Sequence, residues 1–332
     1  MSMKKFENTI TMAGILVKHT LEEATYGTNN DEEATYGTNN DIECIRGEVI
    51  IRTADEGEHS VRFFANKYKK DANGNFTSEE NKIYKSLSTV MNEYRTLEEY
   101  PDDPDYVEIT SASFGVMDYV SKNTNELVTI NTISSNFINR ITKEKYEASS
   151  PTATFEVAGV IASIKDEIIK ETPTGNLIVI MNVINQIKKG NGKDATFDVK
   201  NMFPLRLTIP ADLADTFRSM YSEGVFTKVC GDVINRTETT TKTEKAAFGK
   251  DIVKTFTNTV RKNEVTSGIE PVDIYSVGLT DEICSQLISR RNATIAEVKN
   301  GKKNSSSSNT ITENATSTST SNPFASKNPF AK

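Results

Sequence analysis

The chain has 332 residues with a formal net charge of −7, and 36% of its residues are hydrophobic. This length allows two ordinary domains and a tail. No apolar run approaches the roughly 18 residues that a membrane helix needs, and the N-terminus lacks the apolar core of a secretory signal. Three widely spaced cysteines indicate a reducing compartment. We therefore predict a cytoplasmic protein with no membrane partner.

Charge is distributed unevenly along the chain. Residues 1–150 contain 16 basic and 26 acidic side chains, whereas residues 151–332 contain 23 basic and 20 acidic ones. Non-specific binding to nucleic acid depends on local basic strips that face the phosphates, and not on the total charge. The net charge therefore does not decide for or against a nucleic-acid partner.

A duplicated segment follows the first predicted strand, which includes Met12–Leu16. The decapeptide EEATYGTNND occurs twice in succession over residues 22–41. Because surface loops tolerate insertions, the duplication indicates such a loop. The alternative is a loop lengthened to touch a ligand through Tyr26 and Tyr36.

Two copies of one order of elements follow each other along the chain. After the first strand, periodicity in the first copy predicts strands at 42–53, 60–68, 106–120 and 127–141, with a helix at about 80–97. The second copy predicts strands at 154–164, 176–184, 196–209, 225–237 and 251–263, with a helix at 211–222. Both copies have the order β-β-β-α-β-β, which is that of the OB-fold barrel. We predict a mainly β protein with two tandem OB-fold barrels.

Glycines at matching places support the two barrels. Gly14 and Gly159 fall in the first strand of each copy, and Gly115 and Gly231 fall in the fourth. Glycine inside a strand marks the bends that a small barrel needs in order to close. The alternative is a chance set of glycines in an ordinary β-sandwich.

The C-terminal part contains a helix and a tail. A helix is predicted at 280–299 with Thr280 as its N-cap, and it can pack on the second barrel or dock a partner, of which packing is favoured. Residues 304–321 are polar and of low complexity, which predicts disorder. The predicted domains are barrels at 1–147 and 151–266, a connector and helix at 267–300, and a disordered tail at 301–332.

Catalytic motifs are missing from the sequence. It contains no glycine-rich phosphate loop followed by Lys-Ser or Lys-Thr, and no cysteine and histidine set with zinc-ligand spacing. The acidic loop at Asp102–Asp105 is better explained as a solvated turn. We predict that the protein is not an enzyme and binds no metal or cofactor.

The predicted third strand of the first barrel suggests a binding face. OB barrels bind oligonucleotides on strands 2 and 3 and between the loops that join strands 1–2 and 4–5. Alternation places Val61, Phe63 and Ala65 in the core. The outer face then combines cations with rings on which bases stack. The predicted DNA-binding residues of this barrel are Arg62, Phe64, Lys67, Tyr68 and Lys69. If the two faces were exchanged, Phe64 would be ordinary core.

The second barrel concentrates cations at the same places. Its predicted loop between strands 2 and 3 is basic and glycine-rich, and its segment between strands 4 and 5 carries lysines and a phenylalanine. Any one such lysine is commonly just solvated, so the prediction depends on the whole set. The predicted DNA-binding residues are Lys188, Lys189, Lys193, Arg206, Lys228, Arg236, Lys242, Lys245 and Phe248.

The C-terminal tip repeats the tetrapeptide NPFA. A phenylalanine held beside a proline is a small anchor that can enter a partner's pocket at little entropic cost. The predicted partner-binding residues are Pro323, Phe324, Pro329 and Phe330.

Tandem barrels with a tethered Pro-Phe tip resemble single-stranded DNA-binding proteins, in particular those encoded by bacteriophages. The resemblance implies an OB-fold core, sequence-independent binding and protection of single-stranded DNA in replication or recombination, and a tip that recruits replication or recombination proteins. It also implies that a phage-encoded protein of this kind is located in the cytoplasm of the host cell. The tip here is basic and continues past Pro-Phe with Ala-Lys, unlike the acidic tip of the bacterial proteins. A homo-oligomer of few subunits is compatible with two barrels in one chain.

Two other functions stay open from the sequence. OB barrels can hold protein partners, in which case the chain is an interaction or scaffold protein. Richness in threonine and asparagine is compatible with a virion structural protein. Absence of DNA-induced quenching of tyrosine fluorescence would favour the first, and presence in purified particles would favour the second.

Overall fold

The computed structural model describes residues 5–26, 42–71, 75–189, 196–245, 248 and 252–300. The chain forms two compact units. The first barrel comprises Thr9–Ile51, Ser60–Ser149 and the residues from Ser289, and the second barrel comprises Met1–Asn8, Arg52–His59 and Ser150–Ile288. The predicted domain limits 1–147, 151–266 and 267–300 stay a prediction, and the tail at 301–332 lies outside the described residues.

The first barrel closes with the strand order of the OB fold. Its elements are β1 (Asn8–His19), β2 (Glu22–Tyr26), β3 (Ile42–Arg52), β4 (Glu58–Asn66), β5 (Tyr68–Lys70), β6 (Phe76–Glu80), α1 (Lys82–Glu93), β7 (Tyr106–Val120), β8 (Leu127–Ser134), β9 (Asn139–Ile141) and α2 (Lys143–Ser149). The strands follow the order β1-β3-β4-β8-β7, and β7 pairs back to β1. β4 and β8 run parallel, with Arg62 opposite Ser134.

The second barrel repeats this arrangement. Its elements are β10 (Thr154–Ile169), β11 (Thr172–Lys189), β12 (Thr196–Ile209), α3 (Ala211–Met220), β13 (Phe226–Glu244) and β14 (Ile252–Gly268). The strands follow the order β10-β11-β12-β14-β13, and β13 pairs back to β10. β12 and β14 run parallel, with Thr208 opposite Glu264. The predicted fold of two barrels, each β-β-β-α-β-β, is thus confirmed.

Some local elements differ from the prediction. The short strands β5 and β6 form a hairpin that the sequence did not suggest. Helix α2 runs across the predicted end of the first domain at residue 147. Strands β13 and β14 extend well beyond the predicted ends. None of these differences changes the order of the barrel strands.

Each barrel has a helix between its third and fourth strands. In the first barrel, Asn81 begins α1, because its side chain accepts the N–H of Ile83 at 3.0 Å. Leu87 and Val90 of α1 are completely buried. In the second barrel, α3 buries Phe217. Both helices thus contribute apolar side chains to the buried core.

Two glycines of the second barrel are needed for close approach of the strands. A β-carbon at Gly159 would overlap the carbonyl oxygen of Asn182, and one at Gly231 would overlap that of Glu264. The β13–β14 register also shifts at Gly231. Close approach of the strands thus requires glycine at both positions, and the role of the four glycines as bend points stays a prediction.

A C-terminal helix, α4 (Asp281–Lys299), begins at the predicted cap, where the N–H of Ile283 donates to Thr280 Oγ1 at 3.2 Å. In the second barrel, Leu287 joins a hydrophobic cluster that includes Phe6 and Phe226. The helix therefore packs on its own chain, as the sequence favoured. Within the described ranges, every helix is too short or too polar to cross a membrane.

The residues of α4 that belong to the first barrel include a buried cation. Nη2 of Arg291 donates to Oδ1 of Asp118 at 2.6 Å, and Nη1 pairs with Oδ2 of the same carboxylate. The hydroxyl of Thr129 also donates to Asp118, at 2.6 Å. Arg291 and Asp118 form a salt bridge that is almost completely buried.

Candidate nucleic-acid interface

Strand β4, the third strand of the first barrel, has one buried and one exposed face. Val61, Phe63 and Ala65 are buried in the core, while Arg62 and Phe64 are partly exposed. The predicted alternation of this strand is therefore confirmed. Phe64 lies on the outer face that OB barrels use for ligands, and its role in stacking stays a prediction.

Arg62 does not present a free charge on this outer face. Its Nε donates to Oε1 of Glu48 at 2.9 Å, and its Nη1 lies 3.1 Å from Sδ of Met117. Ser60 donates to the other oxygen of the same carboxylate, Oε2, at 2.7 Å. Only 12% of the Arg62 side chain is exposed. The Arg62 side chain is thus largely shielded from solvent, and its charge is paired with the Glu48 carboxylate.

The backbone around Glu48 is fixed by Thr20. The Glu48 N–H donates to Thr20 Oγ1 at 3.0 Å, and the Glu48 carbonyl accepts the N–H of Thr20 at 2.8 Å. The preceding residue, Gly47, has a positive φ of 148°, and a β-carbon there would overlap the Thr20 carbonyl. The close approach of β3 to Thr20, just after β1, requires glycine at position 47. The backbone of Glu48 is therefore held in place independently of its ion pair with Arg62.

The lysines that follow β4 are also paired. Nζ of Lys67 lies 2.8 Å from Oε2 of Glu43, and this hydrogen bond raises the pKa of Lys67. Lys69 pairs with Glu79. The ring of Tyr68 is exposed, with Nζ of Lys67 5.8 Å from its centroid. The predicted basic strip of the first barrel is thus neutralised by carboxylates, and Tyr68 stays accessible.

Arg206, on the third strand of the second barrel, has a different environment. It lies between the buried Leu205 and Leu207, and its partner across β11 is Ile180. Among the described residues, no side chain forms an ion pair or a hydrogen bond with its guanidinium. Burial lowers the pKa of Arg206, and the charge of Glu167 opposes this effect. An arginine nevertheless stays protonated, so the outer face carries a half-buried cation that forms no direct pair with a carboxylate of the described residues.

Two other predicted cations of the second barrel have partners. Lys228 pairs with Glu156 on the neighbouring strand. Nη2 of Arg236 lies 3.1 Å from Oε1 of Glu238. Both pairs are partly exposed, and such pairs contribute little stability. A phosphate could therefore replace the carboxylate at low cost, unlike at the covered Arg62.

Strands β13 and β14 continue as a two-stranded ribbon beyond their barrel. The predicted loop between strands 4 and 5 was too long, because β13 runs through Glu244 and places Lys242 opposite Lys254. Lys245 follows the end of β13 and is exposed. The ring of Phe248 is 96% exposed. The threonine-rich sequence of this segment favours strand over loop because β-branched residues suit a pleated surface.

The remaining predicted residues cannot be placed in a site. Lys188 and Lys189 lie at the end of β11, where only the backbone is described. Lys193 and the tail residues lie outside the described part of the chain: Pro323, Phe324, Pro329 and Phe330. Their binding roles stay predictions.

Sequence reasoning missed the two residues that distinguish the barrels. Glu48 and Ile180 lie on the second strand of their barrels, next to the arginine of the third strand. Alternation from the buried Val49 and Ile51 would have placed Glu48 on the outer face. Its pairing with Arg62 was not visible, since the sequence gives no register between the strands.

The described residues were also compared with the side-chain groups that bind metal ions. They contain no group of three or more histidine, cysteine, aspartate or glutamate side chains that could hold a metal ion. What these residues do offer is one half-buried arginine without a direct anion, several cations paired with carboxylates, and exposed rings at Tyr68 and Phe248. The fold and these residues define the chain as a tandem OB-fold protein.

Comparison with known families places the chain more narrowly. The YorF family model matches residues 7–301. The chain therefore belongs to the YorF family. No curated protein matches it significantly.

Solved structures with a similar arrangement include two of the single-stranded DNA binding protein from Thermus aquaticus. The wild-type protein has 9% identity and a TM-score of 0.42, covering 81% of this chain and 95% of that one. A deletion mutant of the same protein has 10% identity and a TM-score of 0.37, covering 80% of this chain and 95% of that one. A Replication Protein A heterotrimer bound to ssDNA has 11% identity and a TM-score of 0.18, and the match covers 87% of this chain and 53% of that one.

Proposed function

We propose that this protein binds single-stranded DNA without sequence preference and performs no bond chemistry. The observation that carries the proposal is Arg206, a half-buried guanidinium on the outer face of β12 that has no ion-pair or hydrogen-bond partner among the described residues. A buried charge without a partner is costly. A phosphate on the binding face of an OB barrel would supply the missing anion.

Exposed rings provide the second part of the binding site. Tyr68 in the first barrel, and Phe248 and Phe256 in the ribbon of the second, are all exposed to more than a third. Every base has a flat face that stacks on such rings, so stacking does not select a sequence. Single strands are favoured over duplex because their bases are free to stack.

The proposal is tested by titrating labelled single-stranded DNA, duplex DNA and RNA at several salt concentrations. We expect log K for single-stranded DNA to fall linearly with log salt, by about 0.7 for each phosphate contacted. Replacing Arg206 by Gln should reduce this slope by about 0.7 and weaken binding. A flat salt response, or tighter binding of duplex, would contradict the proposal.

Arg218→Gln is the matched control. Arg218 lies on α3 of the same barrel, already paired with Asp166. Its removal changes the net charge by the same amount without opening or closing a site on β12. An equal effect of both substitutions would show that only the total charge matters and that Arg206 has no special role.

We extend the proposal to a role in replication or recombination, with the Pro-Phe tip as the recruiting segment. The support is the sequence: two NPFA anchors at the end of a polar tether, which together can raise apparent affinity for a partner with two pockets. Deleting residues 321–332 should leave the affinity for DNA nearly unchanged and abolish capture of a replication or recombination protein. Loss of DNA affinity with capture intact would instead show a basic DNA-binding arm.

A second candidate function, protein interaction, is favoured by the turn between β10 and β11. Ile168 and Ile169 at this tip are more than half exposed. Lys170 and Glu171 form the turn with positive φ values of 49° and 65°. An apolar tip on a strained turn suits a protein pocket. Replacing both isoleucines by Ser should leave DNA binding unchanged and remove a protein partner.

A further inference from the structure

Each barrel carries an arginine between two buried apolar residues of its third strand. Arg62 lies between the buried Val61 and Phe63 on the third strand of the first barrel, and Arg206 lies between Leu205 and Leu207 on the third strand of the second. Both therefore belong to the outer face on which OB barrels hold an oligonucleotide. The two positions differ in what surrounds the guanidinium.

In the first barrel the arginine already has an anion. The Glu48 carboxylate accepts Nε of Arg62 at 2.9 Å and the hydroxyl of Ser60 at 2.7 Å. A phosphate would present the same chemistry, an oxyanion that accepts hydrogen bonds from a guanidinium. In the second barrel the residue opposite Arg206 is Ile180, which supplies no charge.

We propose that Glu48 acts as a built-in substitute for phosphate that withholds Arg62 from DNA, so that the backbone of the single strand is held mainly by the second barrel. This inference rests on the proposed function and names a residue that sets which barrel makes the phosphate contact. The first barrel then contributes stacking on Phe64 and Tyr68 with little electrostatic attraction.

The geometry makes Glu48 a strong competitor with DNA. Its backbone is fixed by two hydrogen bonds to Thr20, and Gly47 allows the close approach that forms them. The carboxylate is therefore already in place, whereas a phosphate has to be immobilised from solution. The covered position of Arg62, 12% exposed, also shields the pair from salt.

The test measures the salt dependence of binding to a labelled oligothymidylate for the full-length protein and its variants. Glu48→Gln keeps the shape of the side chain and removes its charge, so Arg62 becomes available. We expect the slope of log K against log salt to steepen by about 0.7, the value for one added phosphate contact. The double variant with Arg62→Gln should lose this gain. Arg62→Gln alone should leave the slope of the wild type unchanged.

Glu98→Gln is the control for total charge. Glu98 pairs with Lys18 in the same barrel, at 2.9 Å, and this pair is exposed. Circular dichroism establishes that each variant is folded. An equal gain from Glu98→Gln would overturn the proposal, because only total charge would then matter.

Two further results separate this inference from the proposed function. If Arg62→Gln flattens the slope as much as Arg206→Gln does, Arg62 already contacts phosphate and Glu48 withholds nothing, while DNA binding stands. If the wild-type protein does not bind single-stranded DNA, the proposed function fails and this inference fails with it. Should Glu48→Gln not fold, the unchanged slope expected for Arg62→Gln still decides the question.

Discussion

Replacing Arg291 by Met should destabilise the first barrel by several kcal/mol. In the folded protein, Arg291 and Asp118 are bonded through both oxygens of the carboxylate and are exposed by only 8% and 3%. The substitution leaves an apolar side chain of similar length against a buried negative charge. A buried ion pair that loses one partner is far more costly than one that loses both.

The magnitude follows from what still bonds Asp118. Breaking a buried pair costs roughly 3–5 kcal/mol. The hydroxyl of Thr129 continues to donate to the carboxylate, and such a bond offsets about 1 kcal/mol. The wild-type pair also has a defect, because Nε of Arg291 is buried with no partner among the described residues. We therefore expect Arg291→Met to cost about 3 kcal/mol, and the double variant with Asp118→Leu to recover most of it.

The assay is urea unfolding of the four proteins of this double-mutant cycle. Circular dichroism follows the transition, and each free energy of unfolding is extrapolated to water. Arg290→Met is the control, since Arg290 is the exposed neighbour on the same helix. A loss below about 1 kcal/mol for Arg291→Met would refute the reasoning, since it falls well short of the cost of a broken buried pair. Additive effects of the two substitutions would do the same, because additivity means that the pair is not coupled.

Three other expectations follow from single residues. Phe64→Ala should weaken binding of single-stranded DNA by roughly 1–3 kcal/mol in a fluorescence titration, and unfolding of the variant would place the ring in the core instead. Burial lowers the pKa of His59 to about 4 in the folded protein. In the unfolded chain the imidazole binds a proton already near pH 6.5. The free energy of unfolding should therefore fall by roughly 3 kcal/mol as the pH drops from about 6.5 to about 4. His59→Gln should remove that part of the pH dependence of urea unfolding, and an unaltered dependence would contradict the assignment. Gly231→Ala should cost about 3 kcal/mol or more through overlap with the Glu264 carbonyl, whereas Gly115→Ala, which meets only the Thr132 side chain, should be mild in the same assay.

The strand order could be predicted because the same order of predicted elements occurs twice in the sequence. Each copy has a glycine in its first and fourth strands, and each third strand alternates between apolar and polar residues. These are local signals with a period of two, and the sequence displays them directly. The cap of the last helix at Thr280 was visible for the same reason, since a cap depends on residues three apart.

The state of each cation could not be predicted in this way. Arg62 and Arg206 look alike in the sequence, each flanked by apolar residues on a strand. Whether a guanidinium is free depends on the residue that the next strand places beside it, which requires the register. Glu48 forms an ion pair with Arg62, whereas Ile180 offers Arg206 no charge. Both residues lie on a different strand from the arginine that they neighbour.

The length of the ribbon was underestimated for a different reason. Lys-Thr-Glu-Lys in residues 242–245 has the polar composition of a loop, and charged residues lower the strand propensity of a segment. Cross-strand pairing with residues 252–254 extends the ladder in spite of this composition. Local composition cannot report a partner that follows later in the chain.

The position of Phe6 has a consequence for how the protein is made. Phe6 and Glu7 belong to the second barrel, where Glu7 accepts the N–H of Ala158 at 2.7 Å and the Phe6 N–H donates to Gln186 Oε1 at 2.7 Å. A ribosome adds about 5–20 residues per second, so this segment waits on the order of ten seconds for its partners to emerge. During that time the apolar side chain of Phe6 is open to chaperones. A fragment that begins after Ser150 would never receive it, and the cluster around Phe226 and Leu287 would stay incomplete.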